Sequence, residues 1–155
     1  MSKSFKLIGL AILALAVLGF CFRPHRISGD CMEPAIVDGK QYFVNKLSPY
    51  LRNPKAGDIV VFSHEGKDWI SRIIATGKDR VEIKEGSVLV NDAVKESSNV
   101  KRNWSNWSFG TYAIDEPFKV PQKHVYVLSD NLDSKHDDSR VFGPIHNSLI
   151  VGYVW

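Results

Sequence analysis

Residues 57–74 read Gly57-Asp58-Ile59-Val60-Val61-Phe62-Ser63-His64-Glu65-Gly66-Lys67-Asp68-Trp69-Ile70-Ser71-Arg72-Ile73-Ile74. Two short runs rich in β-branched and aromatic residues, 58–62 and 69–74, flank His64-Glu65-Gly66, which reads as a hairpin tip. The pattern repeats outward in both directions. Segments 41–44, 79–83, 88–90, 124–128 and 149–154 have the same character and are separated by Gly, Asn, Pro and Lys clusters. Glu85-Gly86-Ser87 and Asn91-Asp92 supply turns. Many short strands with turn signals between them predict a mostly β domain of antiparallel strands. Residues 93–117 differ in kind, being polar with Trp104, Trp107, Phe109 and Tyr112 interleaved. They predict a small lobe inserted between strands. No helix-period run of useful length follows residue 22.

Residues 7–22, LIGLAILALAVLGFCF, carry no charge. Counted from Phe5, a helix here spans roughly 27 Å at about 1.5 Å per residue, close to the ~30 Å hydrocarbon core. Lys3 and Lys6 precede it, and Arg23, His25 and Arg26 follow, so flanking charge is nearly silent on orientation. A cleaved signal peptide ending near Ala14-Leu15-Ala16 is the rival reading. The apolar run continues past that site through Phe22, which favours one uncleaved transmembrane anchor over residues 1–22 and a single domain over 23–155. The chain has 155 residues and a formal net charge of +3. Its basic residues are spread out, which argues against nucleic-acid binding. Cys21 ends the apolar run and Cys31 lies in a polar turn, so no disulfide framework is indicated. No His/Cys/Asp/Glu grouping has metal spacing and no phosphate-cradling glycine loop is present; neither metal nor cofactor is expected.

That polar turn is Ser28-Gly29-Asp30-Cys31-Met32-Glu33-Pro34. Gly29 permits backbone angles closed to other residues, so the turn can bring N–H groups near a reacting atom. Pro34 fixes the chain leaving it. A thiol on a Gly/Pro-braced turn close to a bilayer points to acyl chemistry on membrane-borne peptide.

Four segments in order, SGDCMEP, KAGDIVVF, ISRIIATGKDRVEI and VYVLSDNLDSKHDDSRVFGPI, resemble the boxes of type I signal peptidases of the serine/lysine-dyad class, including their short relatives in conjugative-transfer systems. The resemblance spans residues 26–155, with the apolar run directly ahead. It implies a β-rich fold held at the outer face of a bacterial cytoplasmic membrane. It also implies cleavage of exported precursor polypeptides after small-x-small sites, without metal.

Carried over residue by residue, the resemblance exposes departures. Cys31 stands where the family has its serine nucleophile, and Ser71 where it has the general-base lysine; Arg72 is retained. A thiol ionises far more readily than a hydroxyl, so the first change lowers the demand created by the second. The departing amine still needs a proton, and Ser71 is a poor donor. The last box begins Ser129-Asp130-Asn131 where the family has Gly-Asp-Asn, and is one residue longer before Asp138-Ser139-Arg140. If the extra residue precedes His136, this histidine takes the place of the family's lysine-orienting serine and can pair with Cys31, with Asp133 or Asp137 to orient the ring. If the extra residue follows His136, the register fails and the histidine is a solvated loop residue.

The expected site is therefore Cys31, Ser71 and His136 for catalysis, with the Cys31 N–H and the Ser28–Gly29 segment forming the oxyanion hole and the turn at Met32, Glu33 and Pro34 contacting substrate. Residues 57–62 are expected to hold peptide by strand addition. Arg72, Asp130, Asp138 and Arg140 are expected to brace the fold. Lys67 belongs to the hairpin tip, Lys78 follows a loop glycine, and His124 and His146 lie at strand edges without a cluster. The alternative reading is a non-catalytic relative that binds precursor or pilin-like chains. A thiol titrating below about 8.5 is expected of the enzyme with a cation or imidazole nearby, and one at or above it of the binding protein.

Overall fold

The computed structural model describes residues 3–84, 87–94, 112–113, 116–131 and 136–155. The turn centre at 85–86, most of the expected lobe at 93–117, and Asp133 lie outside these.

Helix α1 (Lys3–Cys21) passes without a loop into strand β1 (Phe22–Arg26). Phe5, Leu7, Ile8, Leu10, Ile12, Leu13 and Leu15 all stand exposed along it. Among the described residues no helix is long and apolar enough to cross a membrane. The chain continues through β2 (Gln41–Asn45), the short α2 (Ser48–Leu51), β3 (Ile59–His64), β4 (Lys67–Thr76), β5 (Arg80–Lys84), β6 (Ser87–Val90) and β7 (Ala93–Val94). After residue 117 come β8 (Phe118–Lys119), β9 (His124–Leu128), α3 (Ser139–Phe142), β10 (Ile145–His146) and β11 (Ile150–Val154).

The strands form two antiparallel sheets, of seven strands in the order β1-β2-β11-β3-β4-β9-β10 and of four in the order β7-β6-β5-β8. The mostly β, antiparallel expectation is met. Strand β1 lies between the expected anchor and the first expected strand and includes Pro24. It is an edge strand, where a missing N–H does least harm.

Alternation along β3 and β4 sorts the core. Val60, Phe62 and Ile73 join Val125, Val127, Ile145, Ile150 and Tyr153 on one face of the large sheet. Ile70 joins Ile27, Cys31, Met32 and Ile36 on the other, with Ile59 and Val61 packed against them. A third cluster, including Ala75, Tyr126 and Leu128 from the large sheet and Val81, Ile83, Val88 and Val90 from the small one, cements the two sheets.

Gly152 on β11 has no room for a side chain: a Cβ there would lie 2.6 Å from Val44 Cγ1 and 2.9 Å from Asn45 O. Gly152→Ala should destabilise the domain by about 1–3 kcal/mol through overpacking between β2 and β11. A chemical-denaturation midpoint unchanged from the parent would contradict this packing.

Candidate active site

The Cys31 turn is shaped by its neighbours in sequence. Gly29 takes φ +112° and the Glu33–Pro34 peptide is cis. Met32 is fully buried and Cys31 is 3 % exposed, whereas Ser28, Gly29 and Pro34 are exposed. The Gly29 N–H donates to Asp38 Oδ1 at 2.8 Å, so it is committed before any substrate arrives. Of the oxyanion donors expected here, the Cys31 N–H is the one beside the sulfur. Met32 serves the core, so its side chain offers an incoming peptide nothing.

Asn131 fastens this turn to the last box. Its N–H donates to Cys31 O at 2.8 Å, and its Nδ2 donates to Asp30 O at 3.0 Å. Next to it, Asp130 takes a two-pronged ion pair from Arg72, Nε to Oδ1 at 2.7 Å and Nη2 to Oδ2 at 2.5 Å. The third arm of Arg72 donates to Gly57 O. Asp138, fully buried, accepts from Arg140 Nε at 2.8 Å, Arg140 Nη2 at 2.6 Å, Arg140 N at 3.1 Å and Ser129 N at 3.1 Å. Arg72, Asp130, Asp138 and Arg140 thus hold the β4, β9 and α3 segments together.

Ser71 is fully buried and donates to Ile70 O at 2.7 Å. Its ladder partner is Val60, which puts it on the opposite face of β4 from Ile70 and on the same face as Trp69. The Trp69 ring is locked by its own N–H, which donates to His64 O, and the His136 ring lies 4.8 Å from it. The histidine therefore stands on the Ser71 face. Its Nε2 is buried and has no hydrogen-bond partner. Trp69 and Asn131 had no signal of their own in the sequence: one is a strand aromatic, the other a loop amide.

No hydrogen bond among the described residues joins Cys31, Ser71 and His136. Their electrostatics are nonetheless shared. Burial, then the charge of Asp30, push the Cys31 thiol up to about 11 from an ordinary 9.0, with Asp130 and Asp138 adding to the rise and its own backbone N–H opposing it. Burial also lowers the His136 pKa, outweighing Asp138, Asp137 and Asp30. At neutral pH the site thus holds a protonated thiol and a neutral imidazole. The thiol sits above the range expected of an ionised nucleophile, chiefly because the turn is buried and secondarily because of its acidic neighbours, neither of which the sequence alone displays.

Strand addition on residues 57–62 is not available. Strand β3 lies inside the sheet, with β11 on one side and β4 on the other. The unpaired edge belongs to β4 instead. Its pairing with β9 begins at Arg72, so residues 67–71 have no ladder partner on that side among the described residues.

Comparison with known proteins agrees with the four boxes. The family model described as "Signal peptidase, peptidase S26" matches residues 1–155. A signal peptidase I P of Bacillus subtilis subsp. natto is 33% identical over 137 residues, covering 85% of this chain and 74% of that one. A signal peptidase IB of Staphylococcus aureus (strain Mu50) is 31% identical over 160 residues, covering 95% and 83%. The crystal structure of a signal peptidase I from Enterococcus faecalis is similar in fold, with TM-score 0.53 and 22% identity, covering 67% of this chain and 98% of that one.

Alkylation of Cys31 in the folded, substrate-free protein should rise with pH toward a midpoint near 11, and follow an ordinary thiol once the chain is unfolded. Iodoacetamide kinetics against pH, with Cys31→Ala to subtract Cys21, measure it. A folded-state midpoint below 9.0 would contradict the burial described.

Proposed function

From its membership of the signal peptidase family, peptidase S26, to which the chain belongs, we propose that this protein is a membrane-anchored endopeptidase that cleaves exported precursors after small-x-small sites, with Cys31 as nucleophile and His136 as its base. The supporting observation is the His136 ring, packed on Trp69 with its Nε2 buried and unpartnered; it stands on the Ser71 face of β4 while Cys31 packs with Ile70 on the other, so the proposed pair meets around the unpaired edge at residues 67–71.

With a pKa near 11, a thiol is ionised in on the order of one molecule in 10⁴ at pH 7, so an unaided thiolate is a poor nucleophile here. A neutral imidazole can take the proton as sulfur attacks the scissile carbonyl. The tetrahedral oxyanion forms beside the Cys31 N–H. Its collapse breaks the peptide C–N bond, and the imidazolium returns the proton to the departing amine. Water, deprotonated by the same ring, then hydrolyses the thioester and frees the thiol. Substrate in extended form fits the unpaired edge of β4 at residues 67–71, adding a strand there.

Anchoring is proposed from α1. Its 19 residues extend about 28 Å, and Phe5, Leu7, Ile8, Leu10, Ile12, Leu13 and Leu15 stand exposed along it. Lipid is the surrounding that suits them. The domain is then held at the outer face of a bacterial cytoplasmic membrane. Membrane fractionation followed by protease shaving of spheroplasts tests this, and a soluble product lacking α1 would refute it.

One observation favours a second reading, a non-catalytic relative that binds precursor or pilin-like chains: the thiol is both buried and surrounded by acids. Purified full-length protein in detergent, given a precursor, separates the two. For the enzyme, Cys31→Ala abolishes cleavage and His136→Ala lowers kcat by on the order of 10²–10⁴-fold. The pH profile is then bell-shaped. Cys31→Ser with Ser71→Lys recovers some cleavage. Binding of precursor without cleavage by any of these proteins establishes the second reading.

A further inference from the structure

His124 and His146, which carry no cluster in the sequence, are brought side by side by the fold. They are directly opposed on the antiparallel pair β9–β10, and their rings lie 5.0 Å apart at 82°. Strand β10 ends the seven-stranded sheet, so the pair opens on solvent. The backbone around both is fixed: Asn147 N donates to Lys123 O at 2.8 Å, and His124 N to Pro121 O at 3.2 Å.

We propose that His124 and His146 form a two-imidazole site for a divalent transition metal ion. The spacing suits one shared ion. With an Nε2–metal bond of about 2.0–2.1 Å in line with each ring, two imidazoles on a tetrahedral ion have centroids about 5 Å apart. The far nitrogens are also provided for. His124 Nδ1 lies 2.8 Å from Gln122 O, which fixes its proton there and leaves Nε2 a free lone pair. His146 Nδ1 lies 2.7 Å from Ser148 Oγ and accepts a longer bond, 3.2 Å, from Ser148 N. Metal on His146 Nε2 moves the ring proton to Nδ1, which then donates to Ser148 Oγ at the cost of the longer bond. An oxygen partner on the non-ligating nitrogen is the usual support of a metal-bound histidine.

Next in the chain, Asn147 Oδ1 is buried without a partner, and Asn147 lines a cleft with His124 but not His146. Lys78 and Lys123 line it too, so no acidic charge favours the ion. This disfavours the hard, oxygen-seeking cations Mg²⁺ and Ca²⁺ and suits metals that bond imidazole strongly, such as Cu²⁺, Ni²⁺ and Zn²⁺. The ion would clip the edge strand β10 to β9.

The test is titration of the untagged full-length chain in detergent with Ni²⁺, which does not oxidise Cys31. Calorimetry should give one ion per chain, and NMR should show the His124 and His146 ring signals broadening together while those of His25, His64 and His136 persist. His124→Ala and His146→Ala should each weaken binding at least 10-fold, and Ser148→Ala by up to about 10-fold. Thermal melts without metal establish that each variant is folded. Absence of saturable binding below millimolar Ni²⁺, or binding that survives both histidine substitutions, overturns the proposal. Precursor cleavage plays no part in these readouts, so the site stands or falls apart from the catalytic reading.

Discussion

The carboxylate of Asp138 is the group on which the rest of the site depends. It is completely removed from water, and such a charge is tolerable only with excellent partners. Arg140 supplies three of its hydrogen bonds and the Ser129 N–H a fourth. That fixes where β9 stops and how the next box begins. Ser129 leads directly to Asp130, which seizes Arg72, and to Asn131, which holds the Cys31 turn by two bonds. A buried ion pair is poor evidence of net stability, but it is good at specifying one arrangement of the segments around it. Here those segments are the ones that hold the Cys31 turn, Ser71 and His136 in place.

The same carboxylate sets the electrical problem that the site must solve. It acts with Asp30 and Asp130 to keep a proton on Cys31, and it supports positive charge on His136. These effects are complementary. An environment that penalises thiolate standing alone rewards a thiolate–imidazolium pair, because the cation offsets the acids as the sulfur ionises. At position 71 the strand carries Ser71, and the one imidazole beside the same Trp69 face among the described residues of the last box is His136.

Strand periodicity made most of the fold legible. Segment 124–128 became β9 unchanged, and the other segments shifted by one or two residues at one or both ends. The helix ended one residue before the expected Phe22 because its last apolar residue opens β1. That strand contains Pro24, which its place at the sheet edge makes harmless. The site was legible by type and order but not by direction. Nothing in Gly-Asp-Cys-Met says that the methionine points into the core, that the Gly29 N–H is taken by Asp38, or that three acids converge on the sulfur. Those facts depend on contacts between segments as much as 101 residues apart. The likeness of His124 to His146 as partners was invisible for the same reason: only pairing of β9 with β10 makes them neighbours.

The joint between helix and sheet has a mechanical consequence. Helix α1 becomes β1 at a single peptide, and β1 is laddered to β2 from Phe22↔Asn45 to Arg26↔Gln41. A flexible tether would let the domain swivel and sample many headings. This joint has no slack to do so, so the roll and tilt of the helix are handed on to the sheet like torque through a rigid shaft. The heading of the Cys31 turn is then set by how the helix sits among its neighbours, and two chains with identical sheets but helices turned by one residue, about 100°, would face quite different directions.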